Sequence, residues 1–236
     1  MTVREYVRVD LAATLTRRGW LSRTPPDFQQ AVLEQCVAQR RSAGDPLYYS
    51  GDEVGGMFGV VSGTVEIASE HSNDDAYFVH LAQSGTWIGE ASVLTGTPRA
   101  ISAAARTDCV LAFLSLVAIN AIVTRHPEYW RQVGILAVEH NSLATSGGAD
   151  LMLRDVERRC LAVLLRLGGC RFSVSDSSQH PEAVVTQEEI AAMANLSRKS
   201  VGDILRKHEQ NGHIELGYRT IRILAAGTLR AIVMDH

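Results

Sequence analysis

Glu90 and Arg99 stand nine residues apart in the stretch GEASVLTGTPRA, residues 89–100, with Gly, Thr and Pro between them. The pattern sets an acceptor-only carboxylate and a planar fork of donors at the two ends of a turn-rich loop. A guanidinium of this kind holds two oxygens of one phosphate, and an ionised carboxylate accepts a hydrogen bond from a sugar hydroxyl. Gly89 lets backbone approach a bound group closely, and the successive N–H groups of Gly89, Glu90, Ala91 and Ser92, with that of Ala100, suit an anion nest. The same two charges also suit an internal ion pair that ties the loop down with no ligand at all. Catalysis is not expected, because the chain offers no nucleophile with a placed base, no metal cluster and no P-loop.

A loop of this kind needs a rigid frame, and residues 45–115 supply turn signals at short intervals: SGDEVGG, VSGT, HSNDD, QSGT and TGTP. That rhythm predicts an all-β unit. Between the turns, MFGVV, TVEIAS and YFVHLA mix β-branched and aromatic residues at period two, as half-buried strands of a small jelly roll or barrel do. With 236 residues, 46% of them hydrophobic, the chain is long enough for two domains with real cores. The start MTVREYVRVD has no apolar signal core, and the longest apolar run, CVLAFL, is too short to cross a bilayer, so a cytoplasmic location without membrane contact is expected. Cys36, Cys109, Cys160 and Cys170 are scattered without a CxxC pair and read as reduced structural thiols.

From Pro127 the sequence HPEYWRQVGILAVEHNSLAT predicts a helix over residues 127–145, with Trp130, Val133, Ala137 and Ala144 on one stripe and Ile135, Leu136 and Val138 elsewhere on its circumference. A helix apolar on several sides has two partners, here its own β-domain and a second copy of itself; the alternative is an ordinary core helix. SGGAD, residues 146–150, weakens the helix with two glycines, and a new periodic segment starts after Asp155, a good N-cap.

TQEE, opening at Thr186, has the form of a capping box with Glu189, Asn195 tolerates a left-handed turn, and Ser197 caps RKSVGDILRKHEQ. Helix, tight turn, helix results, with Ala191 small at the crossing and Val201 and Ile204 facing inward. HIELGYRTIRIL then reads as two strands around Gly217, a wing. The chain carries a net charge of −3, yet between residues 196 and 230 seven Lys and Arg face only Asp203, Glu209 and Glu215. A locally basic reader inside an acidic protein points to a phosphate backbone. The second helix places Arg198 and Lys199 forward in the major groove and Ser200 near the backbone; Thr186, Gln187, Ser197, Asp203 and Arg206, with Arg219 on the wing, complete the DNA-facing set. The alternative is a winged helix used only for protein contacts.

At this point the chain resembles the CRP/FNR family of bacterial transcription regulators over nearly its full length. GDEVGGMFGVVSGTVEI is similar to the family's first β-hairpins, LSRKSVGDILRKHEQNGHI to its recognition helix, and GEASVLTGTPRA to the phosphate-binding cassette of cyclic-nucleotide-binding domains. The GTPRA ending and the Glu-to-Arg spacing are closer to the regulatory subunits of cyclic-AMP-dependent protein kinase than to the family's catabolite activators. The resemblance implies an α+β fold: an N-terminal β jelly roll with N-terminal helices over 1–126, a dimerisation helix and hinge over 127–150, and a C-terminal winged helix-turn-helix domain over 151–236. It implies a cyclic nucleotide held by Gly89, Glu90, Ala91, Arg99 and Ala100. Ala100 stands where guanine-selective domains often carry threonine, which leans toward cyclic AMP rather than cyclic GMP. The base contacts fall near Ala144, at Thr145 and Ser146.

The implied partners are a palindromic DNA operator, a second copy of the chain and RNA polymerase; no metal, haem or iron-sulfur cluster is expected. Family activators commonly carry Arg, Glu and a later Arg along the recognition helix. This sequence has Arg198, Lys199 and Asp203, so a different operator is implied. The alternatives are a regulator with another ligand or none, and a cyclic-nucleotide-binding subunit that controls a partner enzyme.

Overall fold

The computed structural model describes residues 11–70, 76–172 and 180–235, and the chain divides into two compact units, Met1–Asn141 and Ser142–His236. The expected turn HSNDD, residues 71–75, lies outside the described residues. Among them, the first unit holds eight strands in two four-stranded antiparallel sheets. The first sheet has the order β1 (Val37–Arg41), β8 (Cys109–Ser115), β3 (Gly56–Ser62), β6 (Trp87–Ile88). The second has the order β2 (Pro46–Tyr48), β7 (Ser102–Ala105), β4 (Val65–Glu70), β5 (Ala76–Ala82). This is the jelly roll that the turn rhythm predicts.

Two details differ from the sequence reading. The segment that resembles a first β-hairpin is not one, since β3 pairs with β6 and β8 while β4 pairs with β5 and β7. The turn at Gly63 carries the chain from one sheet to the other, and the hairpin is β4–β5, from Val65↔Ala82 outward. Nor does β3 alternate. Residues 56–61 are all buried, because one face meets the roll's interior through Phe58 and Val60 and the other meets the helices through Met57 and Val61. A strand covered on both faces loses the period-two signal.

The helices covering that outer face include Pro26–Gln35 and Leu116–Arg125, whose apolar positions Phe28, Val32, Ile119 and Ile122 sink into one cluster with Trp20 and Trp87. Trp20 meets both Phe28 and Trp87 edge-on at 5.7 Å, and its indole N–H donates to the Gln132 carbonyl at 2.7 Å. A 3-10 turn, Pro127–Tyr129, leads into the long helix Trp130–Leu151. Val133 and Leu136 are each 2% exposed in the same cluster. The stripe expected as a dimer seam therefore needs correction: Val133 faces the chain's own core, and Trp130 packs half-buried against it. Val138, 65% exposed, and Ala144 face outward.

The long helix also runs through Gly147 and Gly148 instead of ending before them. Gly147 has a steric reason to be there, since a Cβ would come within 2.2 Å of Arg166 Nη1. Nearby, Arg171 makes a buried ion pair with Asp150 at 2.8 Å. Both contacts tie the last turns of the helix into the second unit.

In that unit the helix Val156–Leu167 opens on Asp155, whose carboxylate accepts from the Arg158 N–H at 2.8 Å, and its residues 160–167 are all buried. Around it lie the helices Gln187–Ala194, Arg198–Gln210 and Ala226–Met234 and a three-stranded sheet ordered β10 (Ile214–Gly217), β11 (Thr220–Ile223), β9 (Glu182–Ala183). The sequence reading contains neither β9 nor the final helix. The four cysteines are buried free thiols, and burial pushes Cys36 and Cys160 up to about 12, far from thiolate chemistry at neutral pH.

Candidate functional site

Gly89 takes a left-handed conformation (φ 100°) as the N-cap of a six-residue helix, Glu90–Thr95, and left-handed Gly96 ends it. After Pro98 the backbone of Arg99 is fastened to the facing loop, its N–H donating to Asp52 O and its carbonyl accepting from Gly51 N–H, both at 2.8 Å. The side chain turns inward. Arg99 is 5% exposed; Nη1 donates to Gly89 O at 2.9 Å and Nη2 to Gly56 O at 2.6 Å, and the guanidinium stacks 4.3 Å from the centroid of the Tyr48 ring. Nε is buried without a hydrogen-bond partner. A Cβ at Gly89 would lie 2.7 Å from Arg99 Nη1 and 2.9 Å from Gly56 O, so only glycine closes this cradle.

Glu90 is equally buried, at 6% exposed, and its Oε1 accepts from His140 Nδ1 at 2.8 Å. Each charge of the cassette thus has its own partner, and among the described residues Glu90 and Arg99 form no ion pair with each other. Burial, the largest effect, with the Arg99 and Glu90 charges opposing one another, leaves the Tyr48 phenol at about 12. Ala91 and Ala100 are exposed beside these groups in sequence. Thr145 and Ser146 lie on the long helix within the second unit, where Ser146 Oγ donates to the Leu143 carbonyl at 2.8 Å. His140 was invisible to sequence reasoning as a site residue. Its signal is helical spacing: Val133, Leu136 and His140 recur at 3/4 intervals on the face turned toward the roll.

In the second unit the capping box is complete: Thr186 Oγ1 accepts from the Glu189 N–H while the Glu189 carboxylate accepts from the Thr186 N–H. Asn195 is left-handed (φ 51°), and Ser197 Oγ caps the next helix by accepting from the Ser200 N–H at 3.1 Å. Val201 and Leu205, fully buried, point this helix at its partner; Ile204 is only half-buried, one position off the buried face. The close approach falls at Gly202 as well as Ala191, since a Cβ there would sit 3.1 Å from Gln187 Oε1.

The helix presents Arg198 and Lys199 to solvent at its first turn, and Arg219 is exposed at the wing. Other cations of this unit are held: Arg206 by Asp203, Lys207 by Glu157, and Arg222 by Glu215. The hydroxyls of Ser197 and Ser200 bond each other at 2.9 Å.

A second unforeseen cluster lies beneath the reader. His208, 1% exposed, faces His213 with Nδ1 to Nδ1 at 2.9 Å, and its Nε2 lies 2.8 Å from Glu157 Oε1. Because a carboxylate only accepts, neutral His208 donates through Nε2 and accepts at Nδ1 from His213. Burial holds His208 below its ordinary range, against the pull of Glu157, and hydrogen bonds from Lys207 and His208 hold Glu157 below its own. Both groups bind fewer protons folded than unfolded. The second unit's stability should therefore be complete above pH 6.5, fall as pH drops through the depressed His208 value, and fall again below pH 4.5. His208→Gln should flatten the first decline; a urea-unfolding series between pH 5 and 8 that is equally steep in both proteins would remove His208 as its source.

The fold and these two constellations define a class: a β-roll sensor of a small phosphate-bearing ligand joined to a winged helix-turn-helix. Residues 38–126 match the cyclic nucleotide-binding domain, and residues 158–232 match the Crp-like helix-turn-helix domain. The chain belongs to the CRP/FNR family of transcription regulators. It is 25% identical over 197 residues to the cAMP-activated global transcriptional regulator Vfr of Pseudomonas aeruginosa, covering 80% of this chain and 90% of that protein. It is 26% identical over 206 residues to the cyclic AMP receptor protein of Thermus thermophilus, covering 86% and 92%. Among solved structures it shares its fold with FixK2 of Bradyrhizobium japonicum, with a TM-score of 0.69, 14% identity and 85% and 98% of the two chains covered. It also shares it with the c-di-GMP responsive regulator CLP of Xanthomonas campestris, with a TM-score of 0.62, 21% identity and 84% and 99% covered. Among the described residues no group of three metal-ligating side chains is found, and no helix is long and apolar enough to cross a membrane.

Proposed function

We propose that this chain is a dimeric transcription regulator whose operator affinity is set by a cyclic nucleotide held in the β-roll. The supporting observation is the Arg99 guanidinium, buried between the Gly56 and Gly89 carbonyls with Nε unpartnered, next to the buried carboxylate of Glu90. A fixed cation with a remaining donor suits a phosphate, and Glu90, with Oε2 left over from His140, suits a ribose hydroxyl. Gly89, Ala91 and Ala100 contribute backbone and space, and Thr145 and Ser146 are assigned to the base. Cyclic AMP is favoured over cyclic GMP because Ala100 has no hydroxyl for guanine. Calorimetric titration of the purified protein with cyclic AMP, cyclic GMP and cyclic di-GMP tests the assignment; no heat with any of them would leave a regulator with another ligand or none.

The readout is a palindromic operator bound through Arg198 and Lys199, with Thr186, Gln187, Ser197, Ser200, Asp203, Arg206 and Arg219 around them and RNA polymerase as the further partner. A subunit that only controlled an enzyme would not need this basic reader. We assign self-association to the outward face of the long helix, at Val138 and Ala144, rather than to the inward Val133. Val138→Glu should convert a dimer into monomers in sedimentation velocity while the fold is retained; a dimer that persists would move the interface elsewhere.

A further inference from the structure

The wing ends in a two-residue loop, Tyr218 and Arg219, closed by the pair Gly217↔Thr220. Three features of this tip are unfavourable for the domain alone. Arg219 has φ 56°, in the left-handed region; among the described residues Asn195 is the only other non-glycine there, and Asn tolerates it far better than an unbranched cation does. Tyr218 is 92% exposed, more than any other large hydrophobic side chain described. Among the described residues, the Arg219 side chain also has no hydrogen bond or ion pair, a property it shares with the side chains of Arg198 and Lys199 on the recognition helix. Three residues away the contrast is plain: Arg222, on the same hairpin, is held by Glu215 at 2.7 Å and faces Glu182 at 3.9 Å.

An apolar ring in water and an unpaired cation on two consecutive residues, held out by a left-handed backbone, suit one kind of surface: a narrow polyanionic groove with apolar walls. The minor groove of A·T-rich DNA has that character. Its narrowness concentrates negative potential that attracts arginine, and its sugars offer an apolar flank to a tyrosine ring. Backbone strain at an exposed tip is the observation from which a role is argued, and here the role coincides with where charge is left unpaired.

We infer that Tyr218 and Arg219 enter the minor groove beside the half-site read by Arg198 and Lys199, so that the sequence flanking the operator core contributes to specificity. This rests on the DNA-binding reading above and goes beyond a phosphate contact for Arg219. A wing that gripped only phosphate would weaken every sequence alike when shortened, whereas a groove-width reader discriminates between flanks it never contacts through base edges.

The test uses the full chain with cyclic AMP and an operator obtained by selection, carrying either A·T or G·C flanks around one fixed core. The wild type should bind the A·T-flanked operator about tenfold more tightly. Arg219→Gly should erase that preference and at the same time raise the thermal midpoint, because glycine removes the left-handed strain. Tyr218→Ala should reduce the preference severalfold at unchanged midpoint. Neither variant should alter discrimination within the core, which belongs to Arg198. Equal loss on both flanks would leave a phosphate grip and overturn the inference, as would a flank preference that survives both substitutions. A tip that instead docks a protein partner would show no flank preference in the wild type. If no operator emerges from selection, the DNA-binding reading itself fails, a result distinct from an operator bound without regard to its flanks.

Discussion

Arg99→Ala should abolish cyclic nucleotide binding at concentrations that saturate the wild type. Losing a charge-assisted, forked contact costs at least about 1.5 to 3 kcal/mol, roughly tenfold to a hundredfold in affinity. The structure adds a second consequence. Arg99 supplies the donors for the Gly56 and Gly89 carbonyls and covers the Tyr48 ring, so the alanine variant leaves two carbonyls unpaired and should melt several degrees lower. Arg99→Lys separates the two effects: it keeps the charge but cannot bridge both carbonyls and a phosphate, so binding should stay weak while much of the stability returns. The measurement is equilibrium binding of a fluorescent cyclic nucleotide alongside far-ultraviolet dichroism. Unchanged binding by the alanine variant would remove the ligand from this loop. Wholesale unfolding would make Arg99 a strut of the roll first and a ligand contact second.

Arg198→Ala should erase sequence discrimination at the base that it reads, by about 1 to 3 kcal/mol per half-site. Across a symmetric pair of half-sites, centred about 10 base pairs apart, the combined loss is about 2 to 6 kcal/mol. Arg198 is exposed at the first turn of its helix, whereas Arg206, two turns further on, already pairs with Asp203 at 2.9 Å. Arg206→Ala should therefore weaken all sequences slightly and reduce the slope of affinity against salt by about one at most. Titrations of both variants on matched and singly mismatched operators at several salt concentrations distinguish the roles. Full discrimination without Arg198 would transfer direct readout to another side chain, Lys199 first.

Local chemistry was the readable part of this chain. The capping box at Thr186 and Glu189, left-handed Asn195 and the Ser197 cap are each decided within four residues of sequence, and the structure forms all three. The loop from Gly89 to Arg99 was readable for the same reason, since both charges lie on one continuous stretch. What escaped was contact between distant segments. His140 is fifty residues from Glu90, and Glu157 is 51 from His208. No period or turn signal joins them. The long helix shows the intermediate case: its apolar positions were visible, but which of them face inward depends on the roll beneath, and Val133 fell on the covered side. Strand β3 reads as alternating only when one face is wet, and here neither is.

The glycine in the long helix bears on how such proteins are recombined. Gly147 and Asp150 mesh with Arg166 and Arg171, so the helix's final turns and the reader form one interlocked piece. A chimera that joins this reader to a foreign sensor should cut upstream of Ser142. A junction at the helix's visible end would carry Arg166 and Arg171 into the hybrid without their carboxylate, and any side chain in place of Gly147 would meet a guanidinium. The transplantable module thus begins inside a helix, and a splice chosen from secondary structure alone should yield a less stable hybrid than one made ten residues earlier.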